Sequence, residues 1–569
     1  MEATSLLEEV VTMLVPNRAT HAARALGALA TTLALAACSG DDSTEEPGAD
    51  AGSADGRVTL DGTTPREDGG RDAGNTDAND LADAGPDAAV TPDAGPPGSA
   101  CAPDVTTGGK AKNIVFFLGD GMGIPVLTAA RIYGVGEEGQ LTIDTLPETG
   151  FVRTYSKDMM VTDSAPSMSA YMTGVKMNND VIAMSADTVA DQAKCVGTSG
   201  YKADAGVSAN GTPVTTLLEL AKKAGKGTGV VTTTRVTHAT PAATYAHVCQ
   251  RDLEADIAAQ AVPGGAEYNA ALGDGLDVLL GGGRRFFVKE KRPDNRDLLA
   301  EMGAHGYDVV QTASALAAFD AGATPAHKLF GVFSDSHMSY EVDRVKVSPA
   351  VEPSLAEMAT RAVDVLARNP NGFVLMVEGG RIDHALHETH ARRALEETLA
   401  FDRAIAAVLA KVDLSKTLVV VTADHDHTMI HNGYARRVGK TTPTSAGILG
   451  LVKDYDYKGD GGAPLTLDRD GVPYTILGFT NGPNRVSGKR VATGQARIEA
   501  DAGALPLDES LTSGVDYRQE ATFRMALPDS ETHGGTDVSI WATGASSEQV
   551  HGFFTNTEVF GLLRCGSGL

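Results

Sequence analysis

Positive charge is scarce in this chain. Its 569 residues hold 48 lysines and arginines against 74 aspartates and glutamates, a formal net charge of −26 at pH 7. That balance argues against nucleic acid and against an anionic membrane surface as binding partner. Aromatic residues are few, 5% of the chain, and the single tryptophan, Trp541, reads as a core residue. Cysteine is rarer, with five residues. No apolar run has the length of a transmembrane helix, which excludes an ordinary spanning segment, and no solenoid repeat is present. What the chain does have is length, enough for a large core or for several domains.

The N-terminus reads as an export signal. Arg18 and Arg24 precede the apolar stretch Ala25 to Ala37, which is too short to span a bilayer. It ends Leu35-Ala36-Ala37-Cys38, which resembles a bacterial lipobox, in which the cysteine is acylated and becomes the mature N-terminus. The alternative is a plain signal peptide with a chance cysteine. Glu2, Glu8 and Glu9 do not suit a positive leader, so translation is expected to start at Met13. Residues 39–109 read as an acidic linker. Asp-Ala-Gly recurs at Asp50, Asp72, Asp83 and Asp93, and Ser39–Ala100 has a net charge of about −12 with almost no aromatics, a composition that cannot bury enough to fold. Such a linker would hold the folded part away from a membrane surface. The expected location is the periplasm or cell surface. Export implies an oxidising compartment. Cys101, Cys195, Cys249 and Cys565 then allow three pairings. Cys101 with Cys565, at opposite ends of the folded part, and Cys195 with Cys249 is the pairing considered first; free buried thiols are the alternative.

From Lys110 the texture changes. Ile114–Leu118, Gly229–Thr233, Phe373–Val377 and Leu418–Thr422 are apolar runs of strand length, as in a parallel sheet buried on both faces. Helical patterns alternate with them. Ser354–Arg368 puts Leu355, Met358, Ala362, Val365 and Leu366 near one face, and Ala391–Leu409 does the same with Ala394, Leu395, Thr398, Ala406 and Leu409. This alternation predicts an α/β fold with a parallel sheet and helices on both sides. Ligands in such folds sit beyond the carboxyl ends of the strands. Residues 428–530, rich in Gly, Thr and Asp, read as an insertion or subdomain.

Three clusters stand at those strand exits: Gly119-Asp120-Gly121-Met122-Gly123, Glu378 to His387, and Asp424-His425-Asp426-His427. Asp383 and His387 are spaced i, i+4, which places both on one face of a helix. Oxygen donors mixed with imidazole suit zinc and magnesium. One Asp-His pair would be an ordinary surface hydrogen bond; several at neighbouring strand ends suggest a multi-metal hydrolytic site. Asp163-Ser164-Ala165-Pro166 offers a candidate nucleophile, since a serine at a helix N-terminus can meet a phosphoryl group. Alone, the motif would read as a helix cap. His427 is balanced between a supporting role and a solvated loop, His247 reads as structural, and Met159-Met160 as packing.

Together with Thr173-Gly174-Val175-Lys176, His238-Ala239-Thr240-Pro241-Ala242, Ala246-His247-Val248 and Thr532-His533-Gly534-Gly535, these motifs resemble the alkaline phosphatase family, in its order, over Lys110 to Cys565. The resemblance implies a three-layer α/β/α sandwich around a large, mostly parallel sheet, with residues 428–530 as a crown-like insertion, a homodimer, and phosphate monoesters as substrates. It implies two zinc ions and one magnesium ion per subunit. Asp383, His387 and His533 would hold the first zinc, which activates the water that cleaves a phosphoserine. Asp120, Asp424 and His425 would hold the second, which stabilises the Ser164 alkoxide. Asp120, Thr240 and Glu378 would hold the magnesium. Ser164 would be the nucleophile and Arg251 the bidentate phosphate clamp. His238 and His384 stand where enterobacterial members have Asp and Lys and animal members have His, which bears on the magnesium shell. Rival readings are a phosphodiesterase or sulfatase of the same superfamily, and a non-enzymatic phosphate- or metal-binding protein.

Overall fold

The expected apolar runs are strands. In a computed structural model they are β1 (Asn113–Gly119), β3 (Gly227–Arg235), β7 (Phe373–Gly379) and β8 (Thr417–Thr422). Between β1 and β8 lie also β2 (Glu148–Arg153), β4 (Val278–Gly282), β5 (Tyr307–Val310) and β6 (Lys328–Val332). After β8 come β9 (Asp426–His427), β10 (Met429–His431), β11 (Leu477–Gly482), β12 (Ala521–Arg524), β13 (His533–Gly534), β14 (Val538–Gly544) and β15 (Gly552–Thr555). The structure describes residues 111–569 apart from 192–194, 196–209, 323–326, 454–464, 467–472, 484–507 and 526–529. The leader with Cys38, the acidic linker and Cys101 lie outside the described residues.

Ten strands form one sheet in the order β15-β2-β14-β8-β1-β7-β3-β4-β6-β5. The pairs from β8 to β5 are parallel, and only β14 runs against its neighbours β8 and β2. Adjacent residues of β1 show why both faces are covered. Phe116 meets Tyr171 of the helix Ser164–Thr173 at 5.6 Å, while Phe117 meets Phe401 of the helix Ala391–Leu409 at 5.8 Å on the other side. Successive side chains on a strand point to opposite faces, so helices pack above and below, giving the three-layer α/β/α arrangement. Both phenylalanines are fully buried; burying each contributes roughly 1.5–3 kcal/mol.

The helix Leu355–Leu366 buries the five expected residues, and its start is fixed by a Ser354–Glu357 capping box. The helix Ala391–Leu409 shifts its stripe slightly. Ala394, Leu395, Thr398, Phe401, Ile405 and Val408 are buried, whereas Ala406 and Leu409 are half-buried, because a 3.6-residue turn rotates the stripe over nineteen residues. Trp541, on β14 next to β2, is half-buried and packs against the edge of the core. Met159 and Met160 are exposed, so packing does not explain them. Within 428–530, β10, β11 and β12 form a three-stranded sheet. Cys195 and Cys249 are disulfide-bonded, and Cys565 is disulfide-bonded as well. Among the described residues no helix is long and apolar enough to cross a membrane.

Register places the chemistry. Leu118 of β1 lies opposite Glu378 of β7 and Thr422 of β8, and Thr232 of β3 lies opposite Glu378. Asp120, Glu378 and Asp424 therefore come together at one carboxyl edge.

Candidate active site

Ser164 opens the helix Ser164–Thr173 and Asp163 caps it, accepting from the Ala165 N–H at 2.7 Å. Pro166 fits this first turn, where an N–H is dispensable. The Ser164 side chain is buried, with Oγ 3.2 Å from His425 Nε2. The same Asp163 oxygen receives Arg251 Nη1 at 2.9 Å, and Arg251 Nη2 lies 3.2 Å from His238 Nε2. The buried guanidinium is thus tied beside the serine, two residues after the bonded Cys249.

Asp383 and His387 lie one turn apart on the helix Arg381–His387. Asp383 Oδ1 is 3.4 Å from His387 Nε2 and 3.6 Å from His533 Nε2, and the two Nε2 atoms are 3.0 Å apart. Three donors on a triangle of that size fit a zinc ion about 2 Å from each. Both rings are oriented from behind: His387 Nδ1 lies 2.9 Å from the Glu531 carbonyl and His533 Nδ1 lies 2.8 Å from the Thr162 carbonyl. A carbonyl only accepts, so each Nδ1 carries the proton and each Nε2 keeps its lone pair for a metal.

The other side is made of carboxylates. Asp120 Oδ1 and Asp424 Oδ2 lie 3.3 and 3.5 Å from His425 Nε2. Ligand atoms of Asp120, His238 and Glu378 form a further group within 4.8 Å of one another, with Thr240 Oγ1 3.4 Å from Asp120 Oδ2. Asp120 Oδ1, Glu378 Oε1 and Asp424 Oδ2 are buried and receive no hydrogen bond. Three buried acceptors facing one another are costly in the absence of a cation. Burial first, then the carboxylates of Asp424, Asp383 and Glu378, push Asp120 well above its usual range. Burial and Asp424 push Glu378 up to about 7, against hydrogen bonds from Thr232 and Thr234. The residues present therefore fit resident cations.

A family model described as alkaline phosphatase matches residues 111–566. The chain is 36% identical over 478 residues to an alkaline phosphatase of Gadus morhua, covering 78% of this chain and 89% of that protein. It is 34% identical over 482 residues to the tissue-nonspecific alkaline phosphatase of Homo sapiens, covering 78% and 81%. It superposes on the crystal structure of Thermus thermophilus alkaline phosphatase with a TM-score of 0.56 at 28% identity, covering 81% and 92%. This chain belongs to the alkaline phosphatase family.

Other parts of this alkaline phosphatase were less legible in its sequence. His427 is not solvated. It is buried, its Nε2 lies 2.6 Å from Asp383 Oδ1, and its Nδ1 bonds Glu531. Although its atoms also lie among those of Asp383, His425 and His533, both nitrogens are committed to carboxylates. Burial works against a charged ring there, but Glu531 and Asp383 hold the His427 pKa up to about 10. Burial would likewise raise Asp383; His387, His427 and His533 outweigh it and hold Asp383 well below the carboxylate range. His238 and His384 are joined by His337, which the sequence reading missed. The His384 ring centroid is 4.2 Å from that of His337 and 5.4 Å from that of His238, and its Nδ1 lies 2.9 Å from Arg381 Nη1. Burial chiefly, with nearby arginines, holds all three imidazoles well below their ordinary pKa. His247 is a structural residue, bonded to Glu219 and to the Ala183 carbonyl. Glu531 also escaped notice, because it belongs to no strand-end or helical pattern, and Asp163 was legible as a helix cap but not as the partner of Arg251, eighty-eight residues later.

Proposed function

We propose that this chain is a metal-dependent hydrolase of phosphate monoesters working through a phosphoserine on Ser164. The observation that carries the reading is the convergence of Ser164 Oγ, the Arg251 guanidinium and the donor clusters at one carboxyl edge of the sheet. Asp383, His387 and His533 would hold one zinc, Asp120, Asp424 and His425 a second, and Asp120, Thr240 and Glu378 a magnesium. Bound there, the cations would supply Lewis acidity for the serine hydroxyl and for water, and neutralise charge on the phosphoryl oxygens.

The protein's own groups do the rest. Asp163 fixes both Ala165 N–H and Arg251, so the serine and the clamp are set by one carboxylate. Arg251 would bind two phosphoryl oxygens with its planar fork, which lysine could not match. Ser164 Oγ would attack phosphorus in line with the leaving oxygen, and water would then cleave the phosphoserine. Two successive displacements retain configuration at phosphorus. The test is acid quenching during turnover of an aryl phosphate, followed by peptide mapping. Phosphate on the Ser164 peptide supports the covalent route; inversion at a chiral phosphate contradicts it.

For the leader and linker the wider assignment rests on their composition and the lipobox, and for the crown and the dimer on the family resemblance. Residues 1–38 are a lipoprotein-type signal with Cys38 as the acylated residue, 39–109 a linker and 110–569 the catalytic domain, in which 428–530 is a crown-like insertion near the axis of a homodimer. The enzyme is exported and reaches the membrane only through its N-terminal lipid.

A further inference from the structure

We infer that Glu531 is a positioning residue for the metal centre, its carboxylate acting through His427 on Asp383 and its backbone acting directly on His387. The inference rests on the reading of Asp383, His387 and His533 as metal-holding residues. Glu531 is 1% exposed and stands two residues before His533. Its N–H donates to the His387 carbonyl at 2.8 Å and its carbonyl receives His387 Nδ1 at 2.9 Å. That two-way pairing fixes both the backbone and the ring of His387. The side chain reaches a different target. One oxygen faces His427 Nδ1 and the other receives the Thr428 hydroxyl at 2.6 Å. His427 Nε2 in turn lies 2.6 Å from Asp383 Oδ1.

A carboxylate only accepts, so the nitrogen facing Glu531 must donate to it, which sets the tilt of the ring and where its other nitrogen points. One face of the ring is closed off by the backbone. The ring lies over Gly121, whose φ is +65° and whose missing Cβ would fall 2.4 Å from the His427 Cδ2 atom. Glu531, His427 and Asp383 therefore form a relay in which a remote carboxylate orients the oxygen that faces His387 and His533. Partners of this kind behind metal ligands typically matter by about 10–100-fold in metal affinity.

Glu531→Gln separates the two arms, because it keeps the backbone pairing with His387 and removes the side-chain charge together with one of its two acceptor oxygens. The experiment is zinc release from the zinc-loaded full chain to a chromogenic chelator, together with the visible spectrum of the cobalt(II)-loaded protein. The expected result is zinc loss about 10–100-fold faster than wild type and an altered cobalt spectrum. In a His427→Asn background the same substitution should add little, since the relay is already cut. Unchanged release and spectrum in Glu531→Gln, or full additivity with His427→Asn, would overturn the inference. If Glu531→Gln does not fold, Thr428→Val carries the test by removing the hydroxyl that orients the same carboxylate. Faster zinc loss supports the relay and unchanged loss refutes it. A wild-type chain that retains no zinc would instead contradict the underlying reading of the site.

Discussion

The two sides of the proposed metal centre are built from different material. The Asp383–His387–His533 side takes two imidazoles from a short helix and from β13, oriented by the Glu531 and Thr162 carbonyls, while His427 contacts Asp383. The Asp120–Glu378–Asp424 side takes carboxylates from the ends of β1, β7 and β8, whose positions follow from strand register and from a buried core. Nitrogen donors suit zinc, and oxygen donors with a threonine suit magnesium. The difference teaches that one side is positioned by the sheet itself, while the other must be held by residues far apart in sequence.

The comparison can be broken or sharpened by substitution. Ser164→Ala leaves both sides intact and removes only the proposed nucleophile. Monoesterase activity should fall on the order of 10^4-fold or more with metal content unchanged, measured by steady-state kinetics and elemental analysis. Asp120→Asn acts on the carboxylate side, where Asp120 serves both groups of donors. Activity should fall on the order of 10^3-fold, and elemental analysis should show metal lost there while the imidazole side keeps its zinc. Equal loss from both sides would mean that they do not act separately. Arg251→Ala should cost on the order of 10^2-fold in kcat/KM and leave both sides loaded.

How much of this was legible in the sequence follows the same division. Asp120 and Asp424 were visible because a buried strand leads straight into each, and Glu378 because it ends such a run. Asp383 and His387 were visible through helical spacing. His427 was not, because nothing local says that its ring will be buried against Gly121 and bonded to Asp383, forty-four residues earlier. Glu531 and His337 were hidden for the same reason: long-range packing, not periodicity, brings them in. The exposed Met159 and Met160 show the converse error, in which apolar character was taken for burial.

Two smaller effects separate the sides further. In the metal-free protein Glu378 has its pKa raised from 4.5 to about 7. The unfolded chain releases this proton first, so folding stability should decline as pH rises from about 4.5 to about 7. Added magnesium should flatten that slope in thermal melts; an unchanged slope would remove Glu378 from the carboxylate site. His238→Asp replaces an imidazole nitrogen by oxygen in the group with Asp120 and Glu378. It should shift activation toward magnesium over zinc, with a modest change in rate, as read from titration of each metal into the apo-protein.

The most direct test of the central claim is phosphate release from an aryl phosphomonoester and the matching aryl diester, using protein that begins near Cys101, at alkaline pH. Each would be measured before chelation, after it, and after zinc and magnesium are returned. The account predicts monoester turnover that is lost on chelation, regained with the metals and absent in Ser164→Ala. Preferential diester turnover, or none of either ester with both metals bound, would contradict it.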